Sequence, residues 1–166
     1  MVMPRTLAAP SALPVRLIKE LVGLLDRIPF SLCQFLFRVA VGAVFFRSGL
    51  VKIESWDSTV ALFAYEYNVP VLPPEFAATL AAAVELSAPV LLLFGIGSRF
   101  AAAAMLGMTF VIQIFVYPQN WPDHLLWTSL LLPIVARGAG NFSFDYFLAR
   151  RFFGEPQEIR KAQAYQ

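Results

Sequence analysis

Residues 76–97 read FAATLAAAVELSAPVLLLFGIG, an apolar segment with one charged residue, Glu85, near its middle. At about 1.5 Å of rise per helical residue, Glu85 lies about 15 Å beyond Glu75, which marks the start of the segment. That depth corresponds to the midplane of a ~30 Å hydrocarbon layer. A charge there is costly unless it is paired or faces water, so such residues usually serve a function. The segment therefore predicts a membrane-spanning helix that carries a functional or paired carboxylate.

The composition of the 166 residues supports the same class of protein. Hydrophobic residues make up 58% of the chain and charged residues 14%, whereas soluble domains carry about 25% charged residues. The single cysteine, Cys33, excludes an internal disulfide and a CxxC redox pair. The single histidine, His124, excludes a bis-histidine haem and argues against a zinc site made of protein ligands alone. We predict an all-α integral membrane protein with no metal site and no nucleic-acid partner.

Four apolar runs, 32–51, 76–97, 100–117 and 122–136, predict four membrane-spanning helices, the last of marginal length. Most basic residues fall before the first run, between the second and third, or after the fourth. Acidic residues dominate the other two connections. The positive-inside rule then places both termini in the cytoplasm and the first and third connections outside. The predicted fold is a multi-pass four-helix bundle with interfacial amphipathic helices.

The chain is predicted to have three parts. Residues 1–31 form a cytoplasmic segment with an amphipathic helix on the membrane surface, because residues 15–28 carry their polar side chains on one stripe and leucine and isoleucine elsewhere. Residues 32–153 form the four-helix domain, and residues 154–166 form a polar cytoplasmic tail. Within the domain, we also expect a short outer helix after Ser55 and a surface helix after Ser143.

Polar residues on the first two runs predict a site inside the bundle. Arg38 and Lys52 share one face of the first helix with small glycines, which allow close helix approach. Alanines surround Glu85 on the facing side of the second helix, so we expect Glu85 to meet the face with Arg38 and Lys52. Further polar and aromatic residues of the third and fourth helices are candidates for a pocket in the outer half of the bundle: Gln113, Tyr117, His124 and Trp127.

Structural interpretations of the same residues stay open. Glu85 and Arg38 can form an ion pair that sets the helix register without binding a ligand. His124 can be an ordinary interfacial histidine, and Tyr117 and Trp127 can be packing or membrane-boundary residues.

A second polar set is predicted at the cytoplasmic side. Asp145 lies in the first turn of the expected surface helix. We expect its carboxylate to pair with Arg99 or Arg137, both of which follow apolar runs, and to serve as a structural contact.

The order of these residues resembles that of a known family. The residues that carry the resemblance are Arg38, Gly42, Gly49-Leu50-x-Lys52, Pro70, Glu85, Gly95-x-Gly97-x-Arg99 and Gly138-x-Gly140-x-x-Ser143-x-Asp145. Across about residues 36–147 their order and spacing resemble the DoxX family of small four-helix bacterial inner-membrane proteins. The resemblance implies a bacterial inner-membrane location. It implies no catalytic motif, so catalytic residues are unknown. The recurrent polar positions that it covers are Arg38, Lys52, Glu85, Arg99 and Asp145, with His124 and Trp127 as looser matches.

Three functions remain open. Because relatives are linked to thiosulfate:quinone oxidoreduction and thiol metabolism, the resemblance implies a membrane subunit of a redox system with a quinone or another lipophilic molecule in the outer pocket. No cofactor site is readable from the sequence, so such a subunit is not a complete enzyme and needs a protein partner or a homo-oligomer. The second function is a scaffold without its own site. The third is a transporter of a small solute or metal that uses Glu85 as a proton or cation site.

Overall fold

A computed structural model describes residues 13–67 and 69–153, and this part of the chain is all-α, as predicted. The predicted tail 154–166 and the first twelve residues lie outside the described residues. The helices are α1 (Leu13–Leu25), α2 (Phe30–Glu54), α3 (Trp56–Leu62), α4 (Pro74–Phe94), α5 (Ser98–Val111), α6 (Trp121–Arg137) and α7 (Phe144–Phe153). Two π-helical turns, Phe63–Tyr67 and Ile112–Val116, continue α3 and α5, and a 3₁₀ turn, Pro118–Asn120, precedes α6.

Helices α2, α4, α5 and α6 pack into one bundle, with the most extensive contact between α2 and α4. These two helices run antiparallel, because Gly42 lies opposite Pro89 while Gly49 lies opposite Glu85. We call the end of the bundle near α3 the α3 end and the opposite end, near α7, the α7 end.

The packed core is asymmetric along the bundle. Its larger part joins α2, α4, α5 and α6, and small residues such as Ala88, Ala101 and Ala102 let α4 and α5 approach closely there. A smaller cluster at the α3 end packs Phe63 against Ala77 and Ala78. The bundle is therefore tightly filled toward the α7 end, and the α3 end leaves room between the helices.

Within residues 13–67 and 69–153, three helices are long and apolar enough to cross a membrane: Phe30–Glu54, Pro74–Phe94, and Ser98–Val116, which joins α5 to the second π-turn. Large apolar side chains on their outer faces, such as Leu36, Phe94 and Phe110, are exposed. Exposing these side chains to water would cost free energy, whereas contact with lipid does not. The protein is therefore an all-α membrane protein. Helix α6 has 17 residues and is not among the three, so the crossing of a fourth helix stays a prediction.

Helix α1 (Leu13–Leu25) overlaps residues 15–28, whose sequence pattern is amphipathic. The described side chains from residue 14 to residue 28 are all exposed, including Leu17, Ile18 and Leu21. An apolar stripe without a protein neighbour is typical of a helix that lies on a membrane surface. The placement of α1 on the membrane and the three-part division of the chain stay predictions.

Candidate functional site

A buried ion pair joins the two helices that pack most extensively. Glu85, in the middle of α4, is 3% exposed, and its Oε2 lies 2.8 Å from Nζ of Lys52 in the last turn of α2. Lys52 Nζ also donates to Glu85 Oε1 at 2.9 Å and to Ser48 Oγ at 3.0 Å. The Ser48 hydroxyl in turn donates to Glu85 Oε1 at 3.1 Å. Glu85 Oε2 receives no directed hydrogen bond, so it retains acceptor capacity.

The local sequence explains how these three side chains meet. Ser48 and Lys52 are four residues apart and therefore lie on one face of α2. Gly49 sits between them at the point of closest approach, where a Cβ atom would lie only 3.0 Å from the Cβ atom of Glu85. Along the axis of α2, Gly49 lies about 7.5 Å from Glu54, the last residue of the helix. The ion pair thus lies in the half of the bundle nearest α3.

Arg38 does not take part in this pair, contrary to the sequence-based expectation. It lies 14 residues before Lys52, which is about 21 Å along α2, so the antiparallel register puts it opposite Leu92 at the α7 end. The fully buried guanidinium donates to the carbonyl of Leu92 at 3.1 Å and to that of Phe142 at 2.5 Å. It also stacks over the ring of Phe35. Arg38 therefore joins α2, α4 and the segment before α7 through backbone acceptors.

His124 and Gln113 form the second polar contact of the site. Gln113 Nε2 donates to the carbonyl of Pro118 at 3.0 Å, and this bond orients the amide so that its oxygen faces His124 Nδ1 at 2.6 Å. Since that oxygen can only accept, Nδ1 is the donor in this contact. The His124 ring is 4% exposed and lies 5.1 Å from the ring of Trp127.

Tyr117 belongs to an aromatic group at the α3 end. Its hydroxyl donates to Glu66 Oε1 at 2.6 Å, and its ring lies 5.6 Å from that of Tyr67. The hydrogen bond to the Glu66 carboxylate, together with partial burial, raises the pKa of the Tyr117 phenol above its ordinary value. Tyr117 therefore stays a hydrogen-bond donor at physiological pH.

These groups surround a cavity of about 610 Å³ at the α3 end, called here the main cavity. The polar groups on its wall include Lys52, Ser48, Glu85 and His124, whereas most of the remaining wall is apolar. Trp127 and Tyr117 also line the cavity. Gln113 lies behind the wall as the hydrogen-bond partner of His124. Of the residues predicted for the outer pocket, the structure places these on the cavity wall: Lys52, Glu85, Tyr117, His124 and Trp127.

Both π-helical turns border the main cavity. The first contributes Phe63 and Tyr67, and the second contributes Ile112, Phe115 and Val116. A π-turn inserts an extra residue into a helix, redirects the side chains that follow and is frequent at functional sites. Sequence reasoning misses these turns, because a single inserted residue leaves the apolar pattern almost unchanged. It also misses Ser48 and Glu66, although the four-residue spacing to Lys52 is a readable signal for Ser48.

At the α7 end, the expected ion pair of Asp145 with Arg99 or Arg137 is not formed. The Asp145 carboxylate instead accepts the backbone N–H groups of Gly97 at 2.8 Å and Ser98 at 2.9 Å, and the Ser98 hydroxyl at 3.0 Å. These are unpaired donors at the start of α5, where the helix dipole favours a negative charge. Arg99 is exposed, and Arg137 stacks over the ring of Phe30. The partner of Asp145 is therefore a helix N-terminus and not the expected arginine.

Comparison with known proteins agrees with this architecture. The DoxX family model matches residues 33–118, just over half of the chain, from α2 to the turn before α6. A protein of Bacillus subtilis (strain 168) named "Putative oxidoreductase CatD" is 29% identical over 119 residues, which cover 72% of this chain and 73% of that protein. No solved structure matches the chain significantly. The family match, the apolar helices and the helix order together show that the chain belongs to the DoxX family.

Proposed function

We propose that this protein is the membrane component of a redox-associated system and that it binds a small lipophilic molecule, such as a quinone, in the main cavity. The contact of Lys52, Ser48 and Glu85 within an otherwise largely apolar wall is the observation that carries the proposal. The Lys52 ammonium and the Ser48 hydroxyl, which donate to Glu85 in the structure, also line the cavity, and either can turn from the carboxylate to a carbonyl oxygen of such a molecule. The volume of about 610 Å³ lies within the roughly 300–1,000 Å³ of pockets that enclose small organic ligands.

The route into the main cavity supports a ligand that arrives from the membrane. Leu80 of α4 and Ala104 of α5 line the cavity and are also exposed on the bundle surface, as is Phe115 of the second π-turn. The cavity therefore reaches the outer face between α4 and α5, which is a lipid-facing surface in a membrane. An apolar tail can lie in this opening while a polar ring approaches Lys52 and Glu85.

In this proposal the chain supplies hydrogen bonds and protons, and a partner protein supplies electrons. Reduction of a quinone to its quinol consumes protons as well as electrons. Glu85 and His124 line the cavity and can transfer these protons. The word oxidoreductase in the name of the B. subtilis relative supports a redox association.

The proposed setting is a bacterial inner membrane, crossed by α2, α4, α5 and α6, with both termini in the cytoplasm. Charge distribution supports this orientation. Basic residues at the α7 end include Arg27, Arg99 and Arg137, whereas the α3 end carries acidic residues such as Asp57 and Glu66. The main cavity then lies in the outer half of the membrane.

Ligand binding can be tested directly on the purified protein. We expect native mass spectrometry with organic extraction to find a quinone in the wild-type protein. Titration with decylubiquinone, followed by quenching of tryptophan fluorescence, gives its affinity. Replacing Glu85 by Gln removes the partner that holds Lys52, so we expect affinity to fall by about tenfold.

The matched control is Glu75→Gln, which removes an equal charge from an exposed position in the first turn of α4. We expect this variant to bind decylubiquinone like the wild type. Equal binding by the wild type and the Glu85→Gln variant, with helix content unchanged by circular dichroism, would contradict the proposed site.

A scaffold function is the second candidate, favoured by the exposed apolar side chains of α1 such as Leu17 and Leu21. It predicts that the purified protein contains no quinone, retains a protein partner and tolerates Glu85→Gln. Co-purification before and after this substitution separates the two functions.

A further inference from the structure

Arg47 lies on the lipid-facing side of α2, away from the main cavity. It shares this side with Val44 and Val51, at helical spacings of three and four residues, and these valines are 44% and 60% exposed. The Arg47 side chain is exposed as well. Its backbone is seven residues, or about 10 Å, from the end of α2 at Glu54. This places a cation within an apolar stripe of a membrane-spanning helix.

In the described part of the chain Arg47 has no ion-pair partner; Glu54, seven residues later, lies on the same side of α2 but forms no ion pair with it. No ion pair, hydrogen bond or aromatic stacking joins it to another described residue. The carboxylates at the α3 end include Glu54, Asp57 and Glu66, of which Glu66 accepts the Tyr117 hydroxyl. An unpaired arginine at this depth is costly, so arginines in such positions extend toward the membrane surface and find an anion there.

A second cavity of about 340 Å³, called here the side cavity, lies beside Arg47 between α2 and the segment from α3 to the first π-turn. Val44, Val51 and Leu62 give it apolar walls, and Arg47 and Lys52 are its two cations. Because Glu85 neutralises Lys52, the side cavity carries one uncompensated positive charge. An apolar wall beside one positive charge suits an anionic amphiphile with a single negative charge.

We propose that the side cavity binds a phospholipid of the leaflet at the α3 end, with its phosphate on Arg47 and an acyl chain along Val44 and Val51. The guanidinium can form paired hydrogen bonds with two phosphate oxygens. A second copy of the chain is a poorer source of the anion. A two-fold contact through this stripe would bring one Arg47 against the other, and like charges repel. The two cavities share lining residues such as Lys52, but Arg47, which would hold the phosphate, lines only the side cavity.

Native mass spectrometry of the full chain, titrated with dioleoylphosphatidylglycerol in detergent, tests the site. We expect the wild type to retain one lipid tightly, and Arg47→Gln to weaken that binding by about tenfold or more, as expected for loss of a charge-assisted hydrogen bond. Arg47→Lys keeps the charge and should recover part of the affinity. The control Arg99→Gln removes an exposed arginine at the α7 end and should bind like the wild type.

Two results would overturn the proposal. One is equal retention of phosphatidylglycerol by the wild type, Arg47→Gln and Arg99→Gln. The other is a wild-type dimer that becomes a monomer in Arg47→Gln with no change in bound lipid, because the counter-charge of Arg47 would then come from a second copy.

Discussion

Gly49 of α2 lies directly against Glu85 of α4, so closely that a Cβ atom on Gly49 would be 3.0 Å from the Cβ atom of Glu85 and 2.9 Å from Leu86. This contact brings the α2 backbone onto α4 one residue after Ser48 and three residues before Lys52. The hydroxyl and the ammonium can therefore both reach the carboxylate. The absence of a side chain at Gly49 is thus part of how the ion pair is built.

Replacing Gly49 by Ala should destabilise the bundle. The added methyl group has to displace the Leu86 side chain or separate the helices, which costs about 1–3 kcal/mol for overpacking in a filled interior. Thermal unfolding in detergent measures the effect as a lower Tm. The matched control is Gly107→Ala in α5, where no atom lies within 4 Å of the added Cβ and alanine is the better helix former. A Tm for Gly49→Ala at or above that of Gly107→Ala would contradict the close contact.

The Lys52–Glu85 pair should show strong energetic coupling. Lys52→Met leaves a carboxylate that is 4% exposed without its cation, and breaking a buried pair from one side costs about 3–5 kcal/mol. Adding Glu85→Gln removes the unpaired charge and should restore most of the lost stability. A double-mutant cycle on the unfolding transition checks this expectation. Additive losses in the double variant would show that the two groups do not stabilise one another.

Asp145→Ala should loosen the start of α5 while leaving the α3 end unchanged. The substitution removes the acceptor of the Gly97 and Ser98 amides, and loss of such a cap costs about 0.5–2 kcal/mol. Hydrogen exchange should become faster at these two amides. The control Asp26→Ala changes an exposed carboxylate just after α1 and should leave their exchange unaltered. Unchanged exchange in Asp145→Ala would argue against the cap.

Stability should depend on the Tyr117–Glu66 hydrogen bond at alkaline pH. The bond raises the pKa of Tyr117 in the folded protein, so the folded state holds this proton when the unfolded state has released it. The contribution is fully present below the ordinary tyrosine pKa of about 10 and is lost as pH rises through the folded value. A tyrosinate absorbance titration should show a late-titrating group that is missing in Tyr117→Phe. An unchanged titration in that variant would assign the late group to another tyrosine.

Part of the main cavity can be predicted from the sequence because charges are rare in the apolar runs. Glu85 and Lys52 lie on helix faces made of small residues, and such faces pack against one another, so periodicity predicts that these two faces meet. Whether Arg38 or Lys52 contacts Glu85 depends on the offset between α2 and α4 along the bundle axis. Both positions share one face, and periodicity carries no information about that longitudinal register.

The sequence by itself determined the all-α membrane fold, because apolar runs with few charges are stable only as helices in lipid. Through the helical period it also placed Arg38, Lys52 and Glu85 on faces that point into the bundle. Only the tertiary structure decided that Arg38 would bind the carbonyls of Leu92 and Phe142 and that Asp145 would cap α5. Those partners are backbone groups at helix ends and loops, and which side chain reaches them depends on three-dimensional packing.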